Sequence, residues 1–147
     1  SSRYCSIYAI RLQAGLTNNP YITDGQIEVY RKRAENEVNS YIISRYQLPL
    51  VNADGDSEIP WMIENVTVLL AAGYMDYQEF KQEGDGVKWL GEARGILKAV
   101  QNGKQALIGL DGQPMTMLTN STGVQSYPNT VDNENGPDQK FTMRQQF

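Results

Sequence analysis

The run ITDGQIEVYRKRAENEVNSYIISRYQLPL, residues 22–50, holds the strongest helical pattern in the chain. Thr23 and Gln26 stand at capping-box spacing, where each side chain satisfies an orphan amide at the helix start. Ile27, Tyr30, Ala34, Val38, Tyr41 and Ile42 then recur every three or four residues. That is one apolar stripe on a helix of about six turns. Pro49 is expected to end it, because proline drives the preceding Leu48 out of helical geometry. Arg45 is expected in the last turn, where a cation meets the negative end of the helix dipole.

Moving outward, residues 51–57 form an acidic loop carrying Asn52, Asp54, Gly55 and Asp56. Pro60 suits the first position of a third helix, since its missing amide would be unpaired there anyway. This helix should run to about residue 80. It carries no charge between Glu64 and Asp76, so it reads as the central, most buried element. Met62, Val66, Leu69, Gly73, Tyr77 and Phe80 mark its expected inward line, and Gly73 points to another helix crossing closely. Gly84-Asp85-Gly86 breaks the chain. A fourth helix follows with Val87, Leu90, Ala93, Leu97 and Val100 on one face, and Asn102-Gly103 stops it. Beyond it, Asp111-Gly112 is a possible hairpin turn, against which Pro114 argues. Upstream, residues 6–13 predict a short helix, with Ile7, Ile10 and Leu12 set against Ser6 and Arg11 and a stop near Ala14-Gly15. The expected fold is mainly α: a small bundle of about four helices over residues 1–110, with an extended C-terminal docking tail over 111–147.

The 147 residues fit one domain of ordinary size. Net charge is −4 with no histidine, so the chain is not built to sit on phosphate backbones by charge alone, and the commonest general base and metal ligand is missing. The longest uncharged apolar stretch, residues 65–75, falls far short of the roughly 20 residues a bilayer needs. The opening residues show no signal-peptide pattern. The lone Cys5 forms no internal disulfide and, without a histidine partner, reads as a buried structural thiol. Arg31-Lys32-Arg33 is flanked by Glu28, Glu35 and Glu37, which predicts a solvated helix face of mixed charge.

Three patterns imitate chemical sites. The loop at Asn52, Asp54 and Asp56 alternates oxygen ligands, but Gly55 comes too early for a calcium loop and position 61 is Trp, so an acidic surface turn is expected. Gly84-Asp85-Gly86 lacks the Lys-Ser/Thr pair of a phosphate loop. The sequons at Asn65 and Asn120 read as chance. No catalytic, metal or cofactor residues are expected.

From Thr119 the composition turns polar and loses periodicity, the mark of a segment that cannot bury enough surface to fold alone. Residues 141–147 nevertheless carry two aromatics, a Met and an Arg, the residue types of a docking segment. Tyr127, Phe141, Met143, Arg144 and Phe147 are the candidate partner-binding residues.

Arg45-Tyr46-Gln47-Leu48-Pro49-Leu50 closing a long helix resembles the head–tail connector (adaptor, or head-completion) proteins of tailed bacteriophages, of the Mu-like prophage type. The order of other features agrees: Tyr4 on a short first segment, the opening at residues 22–27, Ile59-Pro60 before the next helix, Gly95-Ile96-Leu97 then Gly103-Lys104 and Leu107, and Phe141-Thr142 near the end. The long helix is richer in Arg and Asn than the family's, and Val87-Lys88-Trp89 stands where the family has a tyrosine. Arg45, Tyr46, Leu48, Pro49, Leu50 and Pro60 form the structural signature. The resemblance implies a virion protein at the head–tail interface, assembled in the bacterial host cytoplasm. It implies a ring, usually of twelve copies, between the portal protein ring and the stopper or tail-completion protein. Double-stranded DNA would pass through the lumen without specific binding, and neither catalysis nor a membrane is involved. A competing reading is a small helical nucleic-acid-binding or packaging accessory protein using Arg31, Lys32 and Arg33.

Overall fold

A computed structural model describes residues 3–80 and 85–118 of the chain. Gly84 and the expected docking residues Tyr127, Phe141, Met143, Arg144 and Phe147 lie outside the described residues. The protein is mainly helical, with α1 at Ile7–Ala14, α2 at Asp24–Ile42, α3 at Trp61–Met75 running into a π-helical turn at Asp76–Phe80, and α4 at Asp85–Gln101. Among the described residues no helix is long and apolar enough to cross a membrane.

Local signals set the helix ends. The Ser6 hydroxyl accepts the Ala9 N–H at the start of α1, and Gly15 closes it in the left-handed conformation at φ 75°. Both halves of the Thr23–Gln26 capping box are made. Arg11 then ties α1 to α2: its guanidinium donates to Asp24 Oδ1 at 2.8 Å and to the Ile22 carbonyl at 2.6 Å. Pro60 occupies the N-cap of α3 rather than its first position, which falls to Trp61.

The core is built on α3, which packs against all three other helices and buries Ile63, Val66, Leu70, Ala71 and Met75. Onto it α2 lays Ile27, Tyr30, Ala34, Val38 and Ile42, and α4 lays Ala93, Leu97 and Val100. The expected close crossing occurs at Gly73. A Cβ there would stand 2.9 Å from the Gly86 carbonyl oxygen and 2.9 Å from Leu90 Cγ.

Four further expectations need correction. Pro49 does not end α2. The helix stops at Ile42, after which Arg45 and Tyr46 leave its axis to find partners elsewhere. Leu12 is exposed, because it lies about 200° round α1 from the buried Ile10. Tyr77 is 57% exposed: the π turn takes in an extra residue, which shifts the register of the helix after Asp76 and leaves Tyr77 outside, while the side chain of Phe80 lies outside the described residues. Val87 is exposed and Gly86 takes the inward place, since only a residue without a side chain fits against Gly73 and Asp76.

Candidate functional site

Beyond α4 the chain makes a small hairpin whose placement creates the most prominent surface feature. Gly103, at φ 78°, turns the chain out of α4. Met115 N–H donates to the Leu107 carbonyl at 2.9 Å and Gly109 N–H to the Gln113 carbonyl at 2.7 Å, so Ile108 and Pro114 face each other as an antiparallel bridge. The Gly112 N–H closes the turn onto the Gly109 carbonyl at 3.0 Å. Packing therefore continues through Thr116, with Leu107 and Met115 buried.

The signature residues hold this hairpin. The buried Tyr46 accepts the Leu107 N–H on its hydroxyl at 2.9 Å. Arg45 does not meet the end of its own helix as expected: its Nε donates to the Gln101 carbonyl of α4 at 2.7 Å. Leu50 is buried, Leu48 half-buried and Pro49 exposed after a cis peptide bond. The 51–58 loop supplies the other anchors. Asn52 folds it by accepting the N–H groups of Asp54 and Asp56 on Oδ1, at 2.9 and 3.0 Å, and donates from Nδ2 to Glu58 Oε1 at 2.8 Å. Glu58 Oε2 accepts the Leu110 N–H. A Cβ at Gly109 would fall 2.6 Å from Glu58 Oε2 and would displace that carboxylate from its bond to Leu110.

The hairpin ends up beside the first turn of α3, and the seam is apolar and open. Trp61 is 69% exposed, Leu110 54% and Ile108 44%. Two grooves run along this ridge, both lined by Trp61 and Leu110. One, of about 420 Å³, continues to Arg3, Cys5 and Glu64. The other, of about 380 Å³, continues to Met62, Ala106 and Ile108. A tryptophan so exposed, with apolar neighbours and concave ground on both sides, has the features that protein-binding surfaces share. In the sequence Trp61 counts only against a calcium loop; the available signal for a surface role is a Trp in a first helical turn, outside the buried spacing of Ile63, Val66 and Leu70.

Chemical reactivity is not favoured at the groove's thiol. Burial, with Glu35 adding to it, pushes Cys5 up to about 12, so it stays a neutral thiol. Among the described residues no group of three or more His, Cys, Asp or Glu is placed to hold a metal ion.

The basic strip of α2 is not a uniformly solvated face. Arg31 is buried and ion-paired to both Glu28 and Glu35. Glu35 also accepts the Tyr4 N–H at 2.8 Å, so this network pins the N-terminal segment onto α2. Arg33 is exposed but lies over the rings of Tyr30 and Tyr74, 5.9 and 5.2 Å from their centroids. Lys32 keeps the expected exposed character. Arg94, which donates to the Tyr74 hydroxyl at 3.1 Å, pairs with Glu37 at 2.7 Å.

No known family model matches this sequence, and no curated protein matches it either.

Proposed function

We propose that this chain is a structural adaptor subunit without covalent chemistry of its own. It forms a ring between the portal of a tailed phage head and the stopper or tail, and extends the DNA channel. The observation that carries this reading is the Trp61–Leu110 ridge with a groove on each side, an apolar surface that a freely soluble monomer would have little reason to expose. The resemblance at residues 45–50 adds to it, because Arg45, Tyr46 and Leu50 are the residues that hold the hairpin against α3 and α4. The nucleic-acid reading is left with a reduced basic patch, since Arg31 is committed to Glu28 and Glu35.

The test is electron-microscopy averaging of the purified chain mixed with portal complex. Added annular density below the portal is the expected result; portal particles unchanged at saturating chain overturn the adaptor role. A parallel titration with duplex DNA at several salt concentrations addresses the alternative, which requires an affinity that falls steeply with salt.

A further inference from the structure

The hairpin presents an unpaired backbone edge to the groove. Leu107 and Gly109 spend their groups inward: the Leu107 N–H on Tyr46, the Leu107 carbonyl on Met115 and the Gly109 N–H on Gln113. In such a bridge the groups of the residue between them point the other way. The N–H and C=O of Ile108, and those of Ala106 before it, have no hydrogen-bond partner among the described residues. Both residues line the 380 Å³ groove beside Trp61. An open edge next to an apolar groove is the geometry that accepts an added strand: main-chain bonds give affinity and alternate side chains fill pockets.

The chain itself carries a matching strand. Residues 141–147 read FTMRQQF, so Phe141, Met143, Gln145 and Phe147 fall on one face of an extended segment and Thr142, Arg144 and Gln146 on the other. The segment has no acidic residue to bury, and no charged side chain lines the 380 Å³ groove. Residues 117–140 separate it from the hairpin and, when extended, span up to about 80 Å, enough to reach another molecule. We propose that the Ala106 and Ile108 edge with the Trp61 grooves is a strand-addition site for residues 141–147 of a second copy of this chain. This specifies the self-association that the ring reading requires and rests on that reading for its closure, since segment-to-groove contacts repeat head to tail and form a ring when the rotation between copies closes. Each contact is weak alone and gains avidity by repetition.

The test is complementation between two full-length variants. Ile108→Pro removes the outward N–H and no internal hydrogen bond; its helical circular dichroism and melting curve should match wild type, and Trp61→Ala provides a second groove variant if they do not. Phe141→Ala/Phe147→Ala removes the anchors. Each variant alone should sediment as monomer at concentrations where wild type associates, and an equal mixture should recover pairs. A labelled peptide of residues 137–147 should bind the anchor-deficient chain and bind the Ile108→Pro/Phe141→Ala/Phe147→Ala chain about tenfold more weakly or worse. Association of both variants as in wild type overturns the proposal. So does a wild-type chain that stays monomeric while only the anchor-deficient chain takes up peptide, which is the signature of a segment held by its own groove. Portal mixing reads the adaptor role separately. Complementation without portal attachment sinks that role and keeps this site, whereas portal attachment indifferent to both variants sinks this site alone.

Discussion

The Tyr46 hydroxyl accepts the backbone N–H of Leu107 at 2.9 Å, joining residues 61 positions apart in a buried hydrogen bond. Tyr46→Phe keeps the ring and strands the amide, so it should cost about 1–3 kcal/mol. Tyr46→Ala loses the packing as well and should cost about 3–5 kcal/mol. Urea midpoints of the two variants against wild type check both values. Equal losses would mean that the ring's packing contributes nothing beyond the hydrogen bond.

The helix crossing gives a contrast among glycines. Gly73→Ala places a Cβ 2.9 Å from a backbone oxygen of α4, and should destabilise by about 1–3 kcal/mol through overpacking. Gly91 and Gly95 lie on the exposed side of α4 with nothing within 4 Å of an added Cβ. Alanine at either should stabilise by about 0.5–1 kcal/mol. Melting temperatures should therefore move in opposite directions.

Arg31→Ala removes a buried side chain and leaves Glu35 without its cation, so it should lower the urea midpoint clearly, whereas Lys32→Ala should stay within about 0.5 kcal/mol of wild type. Any weak DNA affinity of the folded chain should fall for Lys32→Ala and not for Arg31→Ala once the latter's stability loss is offset by working at low temperature. A gel-shift series alongside denaturation curves separates the two effects.

Alkaline pH should destabilise the fold before it harms the unfolded chain. Burial raises Cys5 from 9.0 to about 12 and Tyr30 to about 12, the latter helped by the Glu79 carboxylate that its hydroxyl bonds; Tyr4 is raised as well. Each group is neutral in both states below its ordinary value, so the stability is intact there. Above that value the unfolded chain loses protons that the fold retains, and stability falls until the folded value is passed. Urea midpoints should be flat to about pH 9 and decline from there towards about 12. In Cys5→Ala the decline should begin about one pH unit later, where the tyrosines start to titrate.

Much of the helical frame was legible because it is written locally. The Thr23–Gln26 box needs only neighbouring residues, and Gly73 signals a close crossing because a glycine inside an apolar helix has little other benefit. The rest depends on partners far along the chain. Arg31 sits in a hydrophilic run and reads as solvated, yet Glu35 beneath it is also bound by Tyr4 from 31 residues away. Arg45 was assigned to the end of its own helix and caps α4, a partner that only the tertiary fold supplies. Trp61 is harder still: periodicity predicts what is buried and is silent about which large apolar residue the fold leaves outside.

Thr116 is fastened three ways shortly before residues 119–147 begin. Its N–H bonds the Val51 carbonyl at 3.0 Å, its hydroxyl the Asn52 carbonyl at 2.7 Å, and its carbonyl takes the Gln47 N–H at 3.2 Å. A tug on the C-terminal segment would therefore arrive at a residue held by three hydrogen bonds, all to residues 47–52. Thr116 is thus an anchor point: a pull transmitted to it would meet the 47–52 stretch before it met any of the four helices.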